Sequence, residues 1–372
     1  MKFYLATLCL ALSRVVDAAP VTERGLLSSI DALDDVLLFD SPAFQDPTNP
    51  GKTLIDVQSY VFLKQFDLDP LTTVITDGLQ NLGINVGDQI DRVIERTKLF
   101  ATLGLPGKEV KMTVEGCEKE ATLPKTGFKD LGVVTGTVSV GECGGGNQFN
   151  ATVEGDDFTR SVKIFPSPPD GLGVISDIDD TIKVSNVLDK LKLAKSTLLD
   201  DPTPVAGMPE LYKSLATSMN QPQFIYISGS PFQLYPFLRD FVDTTYPQGP
   251  LFLRNLTITD LGLLLDSFSE DASTKLEYKL SQIARVNVMY PKKSFLSIGD
   301  STEKDPEIYA AAFKAHGGDF IRCIWIHLVD GAENSDERFA AAFDGVPQER
   351  IRLFDDSQIA GLADIDVAGG KC

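Results

Sequence analysis

Histidine is nearly missing from this 372-residue chain, with only His316 and His327. So small a supply leaves no HExxH zinc site and gives a Ser–His nucleophile relay little to draw on. Positive charge is short as well. Lys and Arg number 34 against 53 Asp and Glu, for a formal net charge of −19 and a pI near 4.5. That balance argues against nucleic acid as a partner and disfavours unaided adsorption to strongly anionic lipid. An anionic substrate must be met by a local positive group or a bound cation. Internal repeats and long low-complexity tracts are absent. What remains, 43% hydrophobic and 23% charged residues, is ordinary and suffices for a sizeable core in one to three domains.

Cysteine is scarce too, at five residues, and its distribution carries information. The opening MKFYLATLCLALSRVVDAAP has a basic Lys2, an apolar stretch Phe3–Leu12 too short to span a bilayer, and small residues before a cut after Ala18. This is signal-peptide grammar, so residues 1–18 are expected to be removed and the product secreted, with no transmembrane segment in the mature chain. No hydrophobic tail follows Asp364, which argues against a lipid anchor. Cys9 would leave with the signal, and Cys117, Cys143, Cys323 and Cys372 would remain. Four cysteines allow three pairings; Cys117–Cys143 and Cys323–Cys372 are the expected ones, the second pinning the C-terminus. Sequons at Asn150 and Asn255 are compatible with glycosylation.

Four segments follow from texture. Residues 19–104 read as irregular and then mostly helical: Val57, Val61 and Phe62 fit one amphipathic helix, and Ile84, Ile90, Val93 and Ile94 fit another. Residues 105–166 alternate and are broken by glycine turns, as in a small antiparallel β domain. FPSPPDG (165–171) reads as a stiff linker. From 167 to 372 short apolar strands (LGVISD, QFIYISGS, KSFLSIGDS, FIRCIWIHL) alternate with helical stretches, which argues for an α/β fold with a parallel sheet.

In such folds chemistry collects at the carboxyl ends of strands. One end carries Asp177, Asp179, Asp180 and Thr181; a second carries Ser228; a third carries Asp300, with Asp305 five residues on. Clustered negative charge at the end of a buried strand requires a positive partner. Phosphoryl transfer through an aspartate uses this set. One carboxylate attacks phosphorus and a second, two residues on, serves as general acid and then base. Mg²⁺ takes oxygen ligands, and a lysine with a hydroxyl completes the phosphate cradle.

GVISDIDDTIK resembles motif I of the haloacid-dehalogenase-like phosphatases. Together with PVAGMPELY, FIYISGSPFQLYPFLRDF, GPLFLRN and FLSIGDSTEKDPEIY it resembles the catalytic domain of the fungal App1-type phosphatidate phosphatases, from about Pro168 to about Leu328. The resemblance implies a Rossmann-like parallel sheet of the haloacid-dehalogenase type, an Mg²⁺ cofactor and a lipid phosphate substrate met at a membrane surface. By the same resemblance, Asp177 is nucleophile and metal ligand, and Asp179 is general acid/base with its backbone carbonyl on the metal. Thr181 and Ser228 hold the phosphate, Asp300 is the further metal ligand, and Asp305 is its acidic partner behind. Lys279 is the phosphate lysine, with Lys275 a rival one helical turn away. Gly229 stands where relatives carry Asn, and His327 where they carry Arg.

Asp180 reads as a supporting or exposed residue, not a ligand. NVLDKLKLAKSTLL (186–199) reads equally as a lipid-admitting flap or as a helix packed on its own domain, and LGLLLDSF (261–268) as core. Two further functions share the sequence: hydrolysis of a soluble phosphate ester, and a secreted module that holds its metal without catalysis.

Overall fold

The computed structural model describes residues 30–64, 69–81, 83–255 and 272–372. The expected signal peptide, the second sequon's Thr257 and LGLLLDSF lie outside the described residues.

Two sheets organise the described residues. The first has eight strands: β1 (Asp34–Leu38), β2 (Ser41–Gln45), β3 (Thr53–Leu63), β4 (Lys111–Val114), β5 (Ala121–Thr122), β6 (Val133–Gly141), β7 (Phe149–Glu154) and β8 (Thr159–Pro166). Their order is β1-β3-β2-β8-β7-β4-β5, with β6 also paired to β3. β2 and β8 run parallel; the other described pairings of this sheet are antiparallel.

The reading of a helix around Val57–Phe62 is therefore wrong, and 34–45 is not irregular. The reason is burial on both faces. Ile55, Val57 and Val61 of β3 point into the core of the β unit, whereas Tyr60 and Phe62 point into the core of the α/β unit. A strand covered on both sides loses the apolar–polar alternation that marks it, and Val57 and Val61 then mimic helical spacing. Helices do follow, as expected for the second half: α1 (Asp69–Asn81) and α2 (Ile90–Thr97).

The proline-rich stretch is used mostly as strand ends, since β8 stops at Pro166 and β9 starts at Asp170. The second sheet, β9 (Asp170–Ser176), β10 (Gln223–Pro231), β11 (Leu251–Arg254), β12 (Lys292–Asp300), β13 (Ile321–His327) and β14 (Ile351–Phe354), has the order β11-β10-β9-β12-β13-β14. All five pairings are parallel. Helices α3 (Lys190–Leu198), α4 (Met208–Ser218), α5 (Tyr235–Thr245), α6 (Ala272–Met289), α7 (Asp305–His316) and α8 (Asp336–Ala342) connect the strands.

Successive side chains of the central strands divide between two cores. Val174, Phe224 and Trp325 pack with Leu211, Leu238 and Leu198 on one face. Ile175, Ile225 and Ile324 pack with Ile283, Ile308 and Phe339 on the other. That is why these strands read as continuous apolar runs.

Polar contacts tie the two units together. The Tyr235 hydroxyl lies 2.6 Å from the Asp40 amide nitrogen, and Tyr290 donates to the Ala43 carbonyl at 3.1 Å. Disulfides join Cys117 to Cys143 and Cys323 to Cys372, as expected. Among the described residues no helix is long and apolar enough to cross a membrane.

Candidate active site

The chain turns sharply where β9 ends. The Asp177 amide still bonds the Ile298 carbonyl of β12 at 2.9 Å, and then the backbone coils so that Ile182 and Lys183 both donate to the Ile178 carbonyl. Asp180 sits at the pivot with φ +56°, a conformation that Asp tolerates better than most residues. Its carboxylate accepts the amides of Ser185 and Asn186 at 2.8 Å and Val187 at 2.7 Å. Asp180 is thus a buried loop organiser, and three charge-assisted bonds fix the segment that carries its neighbours.

Asp177, Asp300 and Asp305 converge, each offering an oxygen within 4.8 Å of the others. All three are buried. Lys279, on α6 and only 2% exposed, lies 2.6 Å from both Asp177 and Asp305. Thr181 Oγ1 is 3.0 Å from Asp177 Oδ2 and 3.0 Å from Asp300 Oδ2. Asp305 opens α7 and accepts the Asp300 amide at 3.2 Å. Only a glycine at 299 permits this approach, because a Cβ there would lie 2.4 Å from the Asp305 carboxylate.

Lys275, the rival lysine, instead pairs with Glu303 at the rim. Gly229 makes room for it: a Cβ at 229 would meet the Lys275 side chain at 3.3 Å.

Around Asp179 lies a second cluster. Ser228, where β10 bulges away from β11, and Ser230 both donate to Oδ2 at 2.9 Å, and Ser185 donates to Oδ1 at 2.6 Å. Lys183 sits behind, 2.7 Å from Ser185 Oγ and 3.7 Å from Asp179. Sequence reasoning missed Lys183, Ser185, Ser230 and Glu303. Each lies within about six residues of a motif position, but nothing in their identity announces a contact.

His327 falls beside Asp300 in the β12–β13 register, bonded to Asp356 at 2.7 Å and facing the Asp180 carbonyl at 3.3 Å. It supports the loop. Asn150 and Asn255, the sequon positions, are exposed.

The electrostatics separate the two clusters. Burial pushes Asp177 well above the usual carboxylate range against the pull of Lys279. Asp300 is pushed up to about 7, by burial first and by the charge of Asp305 second. Asp305 is raised by burial as well. Burial opposes the Lys279 charge, but attraction from Asp177, Asp305 and Glu303 prevails and its ammonium is held on. Asp179 goes the other way: burial would raise it, yet Lys183 and the three serines hold it below the ordinary value.

Three buried carboxyls facing one ammonium can all ionise only if a further positive charge joins them, which is what their raised proton affinities express. Their all-oxygen donor set is what a hard divalent cation prefers. The single proton of Thr181 likewise cannot fully serve both carboxylates it touches. The cluster is therefore compatible with a metal ion.

Sequence comparison points to the same region. Residues 172–328 match the family described as "Phosphatidate phosphatase APP1, catalytic domain". The chain is similar to phosphatidate phosphatase APP1 of Saccharomyces cerevisiae, 33% identical over 144 residues, covering 38% of this chain and 23% of that protein. It is also similar to an uncharacterised protein of Schizosaccharomyces pombe, 29% identical over 145 residues, 38% of this chain and 22% of the relative. The matched part thus spans under a quarter of either relative. The buried carboxylates, the lysine and the serines all fall inside the region that is similar to that catalytic domain.

Proposed function

We propose that this chain is a secreted, Mg²⁺-dependent phosphatase that hydrolyses phosphatidate, or a related lipid phosphate monoester, through an aspartyl-phosphate on Asp177. The observation that carries the reading is the convergence of Asp177, Asp300 and Asp305 around Lys279 at the carboxyl ends of β9 and β12. Counted from β9, the strand order 3-2-1-4-5-6 supports a Rossmann-like sheet of the haloacid-dehalogenase type. Its crossover falls beside β9, where Asp177 emerges.

Each residue has a defined task. Asp177 and Asp300, with the Asp179 backbone carbonyl, would hold Mg²⁺, which supplies Lewis-acid neutralisation of the phosphoryl oxygens. Asp177 attacks phosphorus, the P–O bond to the leaving group breaks, and the alkoxide takes a proton from Asp179. With the phosphate bound, its negative charge raises the proton affinity of Asp179. When the diacylglycerol product has left, the serines and Lys183 restore the carboxylate, which accepts the proton of the water that attacks the acyl phosphate. Lys279 and Ser228 hold phosphate oxygens, and Asp305 keeps Lys279 charged and in position. The two disulfides and the exposed sequon at Asn150 support secretion.

Phosphate release from dioctanoyl phosphatidate with Mg²⁺, by wild type and Asp177→Asn, tests the reading. Release by wild type alone supports it, and equal rates refute it. Release from a soluble ester in preference to phosphatidate would reassign the substrate, in keeping with the net charge of −19.

A further inference from the structure

The segment that closes the active-site pocket has two sides, and only one is spent on packing. On α3, Leu193, Ala194, Ser196, Thr197 and Leu198 are buried. Leu193 and Thr197, with Val187, line the pocket that contains Asp179, Ser230 and Lys275. Other apolar side chains of the same segment are left exposed: Val184 is 38% exposed, Leu188 52% and Leu191 49%. Exposed lysines accompany them at 190, 192 and 195. Lys192 reaches Asp189 only at 3.8 Å, a contact worth little in water.

This surface is held firmly. Asp189 caps α3 by accepting the Leu191 and Lys192 amides at 3.1 Å. Arg92 and Arg96 of α2 bind the carbonyls of Leu199 and Thr197 at its other end, at 2.6 and 3.0 Å. The loop bearing Val184 and Leu188 hangs from the three amide bonds of Asp180, next to Asp177 in the chain.

We propose that Val184, Leu188 and Leu191, with Lys190, Lys192 and Lys195, dock the catalytic domain onto an anionic lipid surface, so that the pocket at Asp179 faces the headgroup layer. The proposal rests on the lipid-phosphate reading and extends it. Leucines flanked by lysines match the acyl–headgroup boundary of an anionic bilayer. The chain's overall negative charge does not forbid this, because at physiological salt charges act over only about 8 Å. Along α3 the three exposed lysines outnumber Asp189 at its start, and Asp201 past its end is paired with Arg92. Of the two arrangements foreseen for 186–199, packing on its own domain holds for Leu193 and Leu198, whereas Leu188 and Leu191 are exposed.

The test is flotation of the full chain with phosphatidylcholine vesicles, with and without phosphatidylserine. Phosphatidylserine carries no phosphomonoester, so binding to it is independent of the active site. Leu188→Ser/Leu191→Ser and Lys190→Ala/Lys192→Ala/Lys195→Ala are compared with wild type, since these exposed sites leave the core untouched. Wild type should bind the anionic vesicles more weakly as salt rises. The leucine pair should lose binding at least about tenfold, and the triple lysine variant on the order of a hundredfold, at about fivefold per lysine. Both variants should keep wild-type phosphate release from dispersed dioctanoyl phosphatidate and lose it from phosphatidate in vesicles.

Absent wild-type binding, or variants that bind as well as wild type, would overturn the proposal. A wild-type dimer that the leucine pair dissociates, with no vesicle binding, would also overturn it, assigning the face to a second copy. Failure of wild type to release phosphate from dispersed phosphatidate would instead refute the catalytic reading.

Discussion

Replacing Lys279 by Met removes the ammonium that touches both Asp177 and Asp305, and keeps most of the side chain's volume. Each contact is 2.6 Å long and nearly sealed from water. At an effective dielectric of 20, Coulomb attraction at that distance is about 6 kcal/mol per pair. Desolvation of the buried ions offsets most of it. What the substitution exposes is the residue of that balance, three buried carboxylates beside Glu303, whose partner is Lys275. Breaking a buried pair in this way costs about 3–5 kcal/mol. The cost depends on pH, and its sign is fixed. Asp177, Asp300 and Asp305 already have raised proton affinities when folded, and removal of Lys279 raises them further. Their folded forms then hold protons that the unfolded chain releases near pH 4. The variant's stability therefore falls, relative to wild type, as pH rises through and above that range. Urea denaturation from pH 5 to 8 should show a deficit that is smallest at the acid end, and added Mg²⁺ should narrow it. A variant as stable as wild type, or a deficit independent of pH, would refute the reasoning.

Two other perturbations probe the scaffold. Asp180→Ala strands three amides and puts a Cβ-bearing residue without a local hydrogen bond at φ +56°; it should cost about 2–4 kcal/mol in urea and lower turnover. Asp180→Asn, which keeps one acceptor oxygen, should cost less, and equal losses in the two variants would contradict the assigned role. Asp40, where β1 and β2 meet the α/β unit, is raised to about 6, chiefly by burial and against the pull of Arg239. Its contribution is greatest below pH 4 and is lost as pH rises to 6, about 3 kcal/mol in all. Asp40→Asn should remove that slope from the pH–stability curve, and an unchanged slope would exclude Asp40 as its source.

The α/β unit was legible because its signals are local. Each long apolar strand ends in a small polar or acidic residue, and helices of a dozen or so residues lie between, as β9, β10, β12 and β13 bear out. β11 and β14 were not read as strands from texture, being four residues each. β1–β3 were misread because their pairing is remote. β3 bonds β6 some eighty positions on, and its outer face is covered by the α/β unit. At the site, the acidic and hydroxyl residues could be named from strand-end logic and family resemblance. The choice between Lys279 and Lys275 could not, since both lie on one helical face. Burial separates them: Lys279 reaches inward to Asp177, and Lys275 fills the space above Gly229. The Asp179 shell was invisible for a related reason, because Ser185 and Ser230 come from different segments and meet only when the β9 loop coils beneath the bulge of β10.

Covalent trapping interrogates the nucleophile itself. The enzyme would be mixed with phosphatidate and Mg²⁺, quenched in acid, where an acyl phosphate survives, and its peptides mapped by mass. The account predicts one phosphoryl group on the peptide bearing Asp177, absent from Asp177→Asn. Turnover without a phosphorylated peptide, or with the label on a residue other than Asp177, would contradict it.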